Sequence, residues 1–137
     1  MCLDVLKPIK EITNGKRTGY KAFEVTEAGL YPFVSNFQSH NPNPYPVNTW
    51  IQDNPCFPFI TTKETIYPSG FHVFMKREDA RIFASFAFGK HCTKRVRFRK
   101  PVTAGYQTIW DQYNDLERFP SVPVVVAKEM MIVEKEG

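Results

Sequence analysis

The sequence predicts an α+β fold, with a mostly antiparallel sheet, one principal helix and a long Pro-rich irregular segment. Three observations lead there. In residues 67–87, YPSGFHVFMKREDARIFASFA, one structural period gives way to another. Phe71, Val73 and Met75 alternate with His72, Phe74 and Lys76 as in a strand; Ala80, Phe83, Ala84 and Ala87 then recur at i, i+3, i+4 and i+7, one face of a helix. Two later runs, KRVRFR at 94–99 and VPVVVAKEMMIV at 122–133, are also strand-like. The 11 prolines are concentrated between Pro32 and Pro68, where no period is visible.

A chain of 137 residues is read as a single domain, and 42% hydrophobic with 15% aromatic residues argues against disorder. The net charge of +4 suits an anionic partner as well as it suits ordinary solubility. Three cysteines (Cys2, Cys56 and Cys92) form no CxxC pair, so reduced thiols in a cytosol are expected, with neither zinc nor disulfides. The start MCLDVLKPIK is too polar for a signal peptide, and no apolar run is long enough to cross a bilayer. A soluble cytoplasmic protein follows, with no metal, no cofactor and no membrane partner.

In chain order, residues 2–11 read as a first strand, and Asn14-Gly15 is a turn signal. Residues 16–26 form a second strand, with Tyr20 and Ala22 on one face and Lys21 and Phe23 on the other. Residues 29–32 read as another turn, with Tyr31 and Phe33 starting a short extended segment. Residues 35–69 form a long irregular segment, of the kind used as a lid or binding loop, pinned by Trp50-Ile51 and holding a brief strand at 57–60. Pro68-Ser69-Gly70 is a turn in which Gly70 is expected at positive φ. Glu78 and Asp79 suit the start of the helix, and Gly89 ends it. Arg95, Arg97 and Arg99 share one face of the strand at 94–99; residues 101–107 read as a loop, and 110–119 as a loop or a helical turn. The last strand is buried on both faces and interrupted by Lys128-Glu129.

Each candidate functional residue also has a structural explanation. His72, on a strand beside a glycine turn, is a candidate acid or base, yet a lone histidine there is more often packed and hydrogen-bonded. Lys21 could meet a phosphate or simply be solvated. The arginine stripe has the spacing to grip phosphates or carboxylates, and it is also what an exposed sheet face shows. Tyr106 and Gln107 offer a ring and an amide to a base, or pack within their loop. Glu129 could orient a ribose hydroxyl, act as a base, or pair with a strand arginine. With Met1 removed, Cys2 would be an N-terminal thiol, but a small buried residue is the better reading.

Met1-Cys2-Leu3, Tyr20-Lys21 and Gly70-Phe71-His72-Val73-Phe74 resemble the MCL start, VYK-like strand and GFHSF-like motif of small phage and prophage proteins. The order of elements is also similar to the ADP-ribosyltransferase-like fold. There an early strand bears Arg or His, a glycine-aromatic strand leads into an Ala-rich helix, and a late strand bears Glu. The matching stations are Tyr20-Lys21, residues 70–87 and residues 124–129. Lys21 stands where that fold has Arg or His, His72-Val73-Phe74 is no Ser-Thr-Ser, and Glu129 lacks the Gln/Glu-x-Glu context.

Three functions remain open. The preferred one is a nucleotide-binding protein holding a nucleotide-derived small molecule between the 70–74 strand, the Pro-rich segment and the arginine strand. Tyr20, Lys21, Trp50, Phe71, His72, Phe74, Arg95, Arg97, Arg99, Tyr106, Gln107 and Glu129 are its candidate contacts. The phage resemblance implies a use for it as an anti-defence sponge for a host immune nucleotide. The second is an ADP-ribosyltransferase in which Lys21, His72 and Glu129 hold NAD. The third is a protein-binding inhibitor anchored by Trp50 and Trp110. A nucleic-acid partner is not expected, and a homo-oligomer is left open.

Overall fold

The computed structural model of the chain describes residues 3–32, 43–53, 58–62, 64–85, 90–108 and 121–134. The elements run β1 (Val5–Lys7), α1 (Ile9–Thr13), β2 (Thr18–Thr26), β3 (Gly29–Pro32), β4 (Trp50–Gln52), β5 (Phe59–Thr61), β6 (Ile66–Pro68), β7 (Phe71–Phe74), α2 (Arg77–Ser85), β8 (His91–Thr108) and β9 (Ser121–Ile132). All pairings between these strands are antiparallel. The fold is thus sheet-dominated α+β, as expected. No helix among the described residues is long and apolar enough to cross a membrane.

The main sheet closes on itself. The long strands β8 and β9 pair from Val96↔Ile132 to Thr108↔Ser121. The other edge of β8 takes β2, from Thr18↔Arg97 to Glu24↔His91. The other edge of β9 takes β7, from Phe71↔Ala127 to Phe74↔Val124. Between β2 and β7 a single pair, Tyr20↔Phe74, completes the ring. Gly19 permits that closure, because a Cβ there would lie 2.5 Å from Val73 Cγ1 and 2.6 Å from the Phe74 carbonyl oxygen. Strands β1, β3 and β4 extend the ring from β8, β2 and β9, and β5–β6 form a separate hairpin.

Inside the ring Phe23, Phe71, Val73, Val96, Phe98, Val125, Met130 and Ile132 make a continuous apolar cluster, joined by Tyr45 and Ile51. A second cluster lies on the outer face, where Leu3, Ile60, Tyr67, Phe74, Val124 and Val126 meet Ala80 of α2. β9 contributes to both, which is why it lacks strict alternation. Helix α2 buries Ala80 and Ala84, and Ile82 and Phe83 also pack on the outer cluster. Small residues let the helix lie close to the sheet.

Five expectations need correction. The segment 35–69, read as irregular apart from a brief strand at 57–60, also carries β4 and β6, because pairing with β9 and with β5 supplies their backbone partners. Residues 9–13 form a short helix, ended by Asn14 in the left-handed region (φ 51), so the first strand is only β1. Gly29, at φ 134, already opens β3, so the extended segment expected from Tyr31 begins two residues earlier and takes up the expected turn. Residues 101–107 belong to β8: Lys100 at φ 55 and a register shift between Pro101 and Thr103 let the strand bend past a proline without breaking. Gly70 is not at positive φ; positive-φ glycines among the described residues are Gly15 and Gly29.

Candidate functional site: a buried polar chain and an outer arginine face

The residues singled out by the sequence are sent by the fold to three places. His72 lies on β7 with its side chain toward the outer cluster, under Tyr67. The Leu3 amide donates to the Tyr67 hydroxyl oxygen at 2.9 Å, and that hydroxyl lies 2.9 Å from His72 Nε2. His72 Nδ1 is 3.2 Å from the Gly70 carbonyl oxygen. One tautomer satisfies the whole chain: Tyr67 donates to Nε2, and Nδ1–H donates to Gly70. Burial, with nearby Lys21 as a lesser cause, pushes the His72 pKa down to about 3, so the ring is neutral at ordinary pH. The chain joins the N-terminal segment to β6 and β7.

Lys21, on β2, points its amine across the seam toward β7 and donates to the His72 carbonyl oxygen at 2.9 Å. With only one backbone pair between β2 and β7, this ammonium stands in for a missing rung of the ladder. Lys128 does a similar service for the Ser69 carbonyl, at 2.5 Å. Asp53, just beyond β4, lies 3.9 Å from the Lys128 amine. Burial lowers the Lys21 pKa to about 8, against the attraction of Asp53, and burial raises the Asp53 pKa. Asp53 carried no signal in the sequence; its role depends on where β4 ends against β9.

The third place is the outer face of β8. Arg97 pairs in register with Thr18 on one side and Met131 on the other, and Met131 with Trp50. The Trp50 ring therefore lies beside the arginine stripe. The Arg99 guanidinium sits 3.9 Å from its centroid and that of Arg97 5.8 Å. Such contacts contribute about 0.5–1 kcal/mol at exposed sites. Arg99 is further held by Glu129, Nε to Oε1 at 2.8 Å and Nη2 to Oε2 at 3.3 Å, and Lys100 reaches the same carboxylate at 3.3 Å. Glu129, although its side chain is only 4% exposed, is thus doubly compensated. The Arg99 hydrogen bond, with Lys100 adding to it, holds its carboxyl below the usual range.

Arg95 and Arg97 are exposed and have no carboxylate partner among the described residues. Arg95 is in register with Tyr20, and Arg77 at the start of α2 lies 5.1 Å over that tyrosine ring. Arg77 carried no functional signal in the sequence, since nothing in the chain order places the first turn of α2 over β2. Beside it an open groove of about 580 Å³ is lined by Lys76, Arg77, Glu78, Arg81, Ile82 and Ser85.

The remaining candidates are not on this face. Phe71 packs inside the ring, Phe74 in the outer cluster, and Tyr106 against the inner cluster from β8. Gln107 is buried at 2% exposure, its Oε1 without a hydrogen bond among the described residues. The three residues expected to act together on NAD are each engaged within the protein: the Lys21 amine holds a backbone oxygen, the His72 ring is tied to Tyr67 and Gly70, and Glu129 is tied to Arg99 and Lys100. Cys2, Trp110 and Gly89 lie outside the described residues, as do parts of the Pro-rich segment. No three His, Cys, Asp or Glu side chains among the described residues are grouped to hold a metal ion.

Comparison with protein-family models, curated proteins and solved structures finds no match.

Proposed function

We propose that this protein binds a phosphate-bearing, nucleotide-derived ligand on the outer face of β8. The observation that carries the reading is the pair of exposed guanidinium groups, Arg95 and Arg97, left without carboxylates among the described residues, beside an indole ring already used for cation stacking. Arg99 is different: Glu129 and Trp50 occupy it, so it orders the face rather than offering a free charge. The interior of the ring is filled with side chains, which favours an outer site over an enclosed one. Sequestration of a host nucleotide signal, implied by the phage resemblance, would be a use of this surface.

ATP and NAD serve as probes. Arg97→Ala is expected to weaken the tighter of the two by roughly 1.5–3 kcal/mol, the scale of a charge-assisted hydrogen bond, with the melting temperature nearly unchanged. Added salt weakens the wild-type complex more than the mutant one. Calorimetric titration and thermal melting on the same samples check both. Normal affinity in the mutant would move the site off β8.

The ADP-ribosyltransferase-like fold is a second reading, favoured by the passage from β7 into α2 and by a carboxylate on a late strand. It requires nicotinamide release from NAD that disappears in Glu129→Gln. The ties on Lys21, His72 and Glu129 make binding without turnover the better-supported function.

A further inference from the structure

The geometry points to a single strand of nucleic acid, rather than a mononucleotide, as the ligand of the arginine face. This rests on the proposed binding at β8 and adds the length of the ligand to it. Three features support an extended polyanion. First, four arginines without carboxylate partners among the described residues, Arg77, Arg81, Arg95 and Arg97, form a band. Residues two apart on a strand are about 6.7 Å apart, so Arg95 and Arg97 present two charges at a spacing comparable to that of successive phosphates. Second, the band continues onto α2. Arg95 adjoins Tyr20, Tyr20 carries Arg77, and Arg81 follows one helical turn later along the same groove. From Arg97 to Arg81 it spans roughly 15–20 Å, beyond the reach of one phosphate group.

Third, aromatic rings alternate with the cations: Trp50 lies under Arg97, and Tyr20 under Arg77. A cationic track with interleaved rings is the arrangement by which proteins hold single strands, phosphates on the cations and bases on the rings. A duplex hides its base faces and would use only the cations. Glu78 is the one acidic side chain among the groove's lining residues, beside three cations, Lys76, Arg77 and Arg81. Four cations, Arg77, Arg81, Arg95 and Arg97, set an upper limit of about four phosphates contacted along this band. The logarithm of the binding constant should then fall with the logarithm of salt concentration with a slope of about −2 to −3.

A length series decides it. The probes are dTMP and oligothymidylates of two, four and eight nucleotides, read by quenching of tryptophan fluorescence and by calorimetry, with polyphosphate of matched charge and an eight-base-pair duplex beside them. Affinity is expected to rise at least tenfold from one to four nucleotides and then level off. Arg77→Ala should weaken the eight-nucleotide strand about fivefold or more, a larger loss than for dTMP, and lower its salt slope by about 0.7. If affinity is flat with length, the strand is ruled out and the small-nucleotide reading stands. If polyphosphate or the duplex binds as tightly as the eight-mer, the rings do not read bases and the inference fails. If neither these probes nor ATP and NAD bind, both readings fall together.

Discussion

Gly70→Val is expected to be strongly destabilising, although the residue has no side chain to lose. A Cβ at Gly70 would stand 2.7 Å from the Ala127 carbonyl oxygen and 2.8 Å from Val126 Cγ1. Both belong to β9, which is buried and paired on both edges at that point, so neither atom can retreat cheaply. Overpacking of this kind costs about 3 kcal/mol, which lowers the melting temperature of a domain this size by roughly 10 °C. The Gly70 carbonyl also accepts from His72, so a shift of this backbone would break the polar chain as well. Gly15 supplies the control: a Cβ there would meet nothing within 4 Å, but its φ is +79. Gly15→Ala should therefore cost only about 1 kcal/mol through backbone strain. Equal losses for Gly70→Ala and Gly15→Ala would show that close approach is not what Gly70 serves, and an unchanged melt for Gly70→Val would show the same.

The second large effect is acid destabilisation through His72. Its pKa is 6.5 when unperturbed and about 3 in the folded protein, so between those values the unfolded chain binds the extra proton and the folded chain does not. The stability this contributes is fully present above pH 6.5 and is lost as pH falls toward 3. At about 1.4 kcal/mol per pH unit, roughly 2 kcal/mol is gone by pH 5. Carboxylates with lowered pKa values, such as Glu129, act below their ordinary value of 4.5, and the carboxyls that burial raises, Asp53 and Asp79, act with the opposite sign, so a net loss between pH 6.5 and 5 belongs to His72. Thermal melts across that window should fall steadily for the wild type. In His72→Gln they should start lower, for want of one hydrogen bond, and stay level. A wild-type melting temperature that is flat from pH 6.5 to 5 would mean that His72 is not held neutral by the fold.

Both predictions concern residues that the sequence marked for another reason. His72 stood out as a histidine on an apolar strand, and its period correctly set it opposite Phe71 and Val73. What the period could not show was Tyr67, five residues earlier, folded over it from a different strand, nor the Leu3 amide behind that hydroxyl. Gly70 was marked as a turn glycine. The backbone there is not left-handed; the demand for glycine comes from β9, more than fifty residues away in the chain. The arginine stripe is a clearer case. Alternation placed Arg95, Arg97 and Arg99 on one face, which they share, but could not say that Arg99 faces Glu129 while Arg97 does not.

By itself the sequence determined what depends on near neighbours. It specified the alternation that builds β2, β7 and the first half of β8, the continuous apolar run of β9, the apolar face and acidic first turn of α2, and the chain reversal at Asn14-Gly15. It also specified the need for charge compensation inside β9, because Lys128 and Glu129 interrupt an apolar run whatever they touch. Tertiary structure decided what depends on register. The bend at Lys100 carried β8 through a segment with a proline and a glycine, which local preference assigns to a loop, because pairing with β1 and β9 supplied the hydrogen bonds. The ring closed through one β2–β7 pair, and Lys21 became a donor to a strand carbonyl instead of a surface charge. Which arginines are paired within the protein and which stay exposed is set by the same pairing, since a shift of one residue along β9 would turn Glu129 to the other face of the sheet.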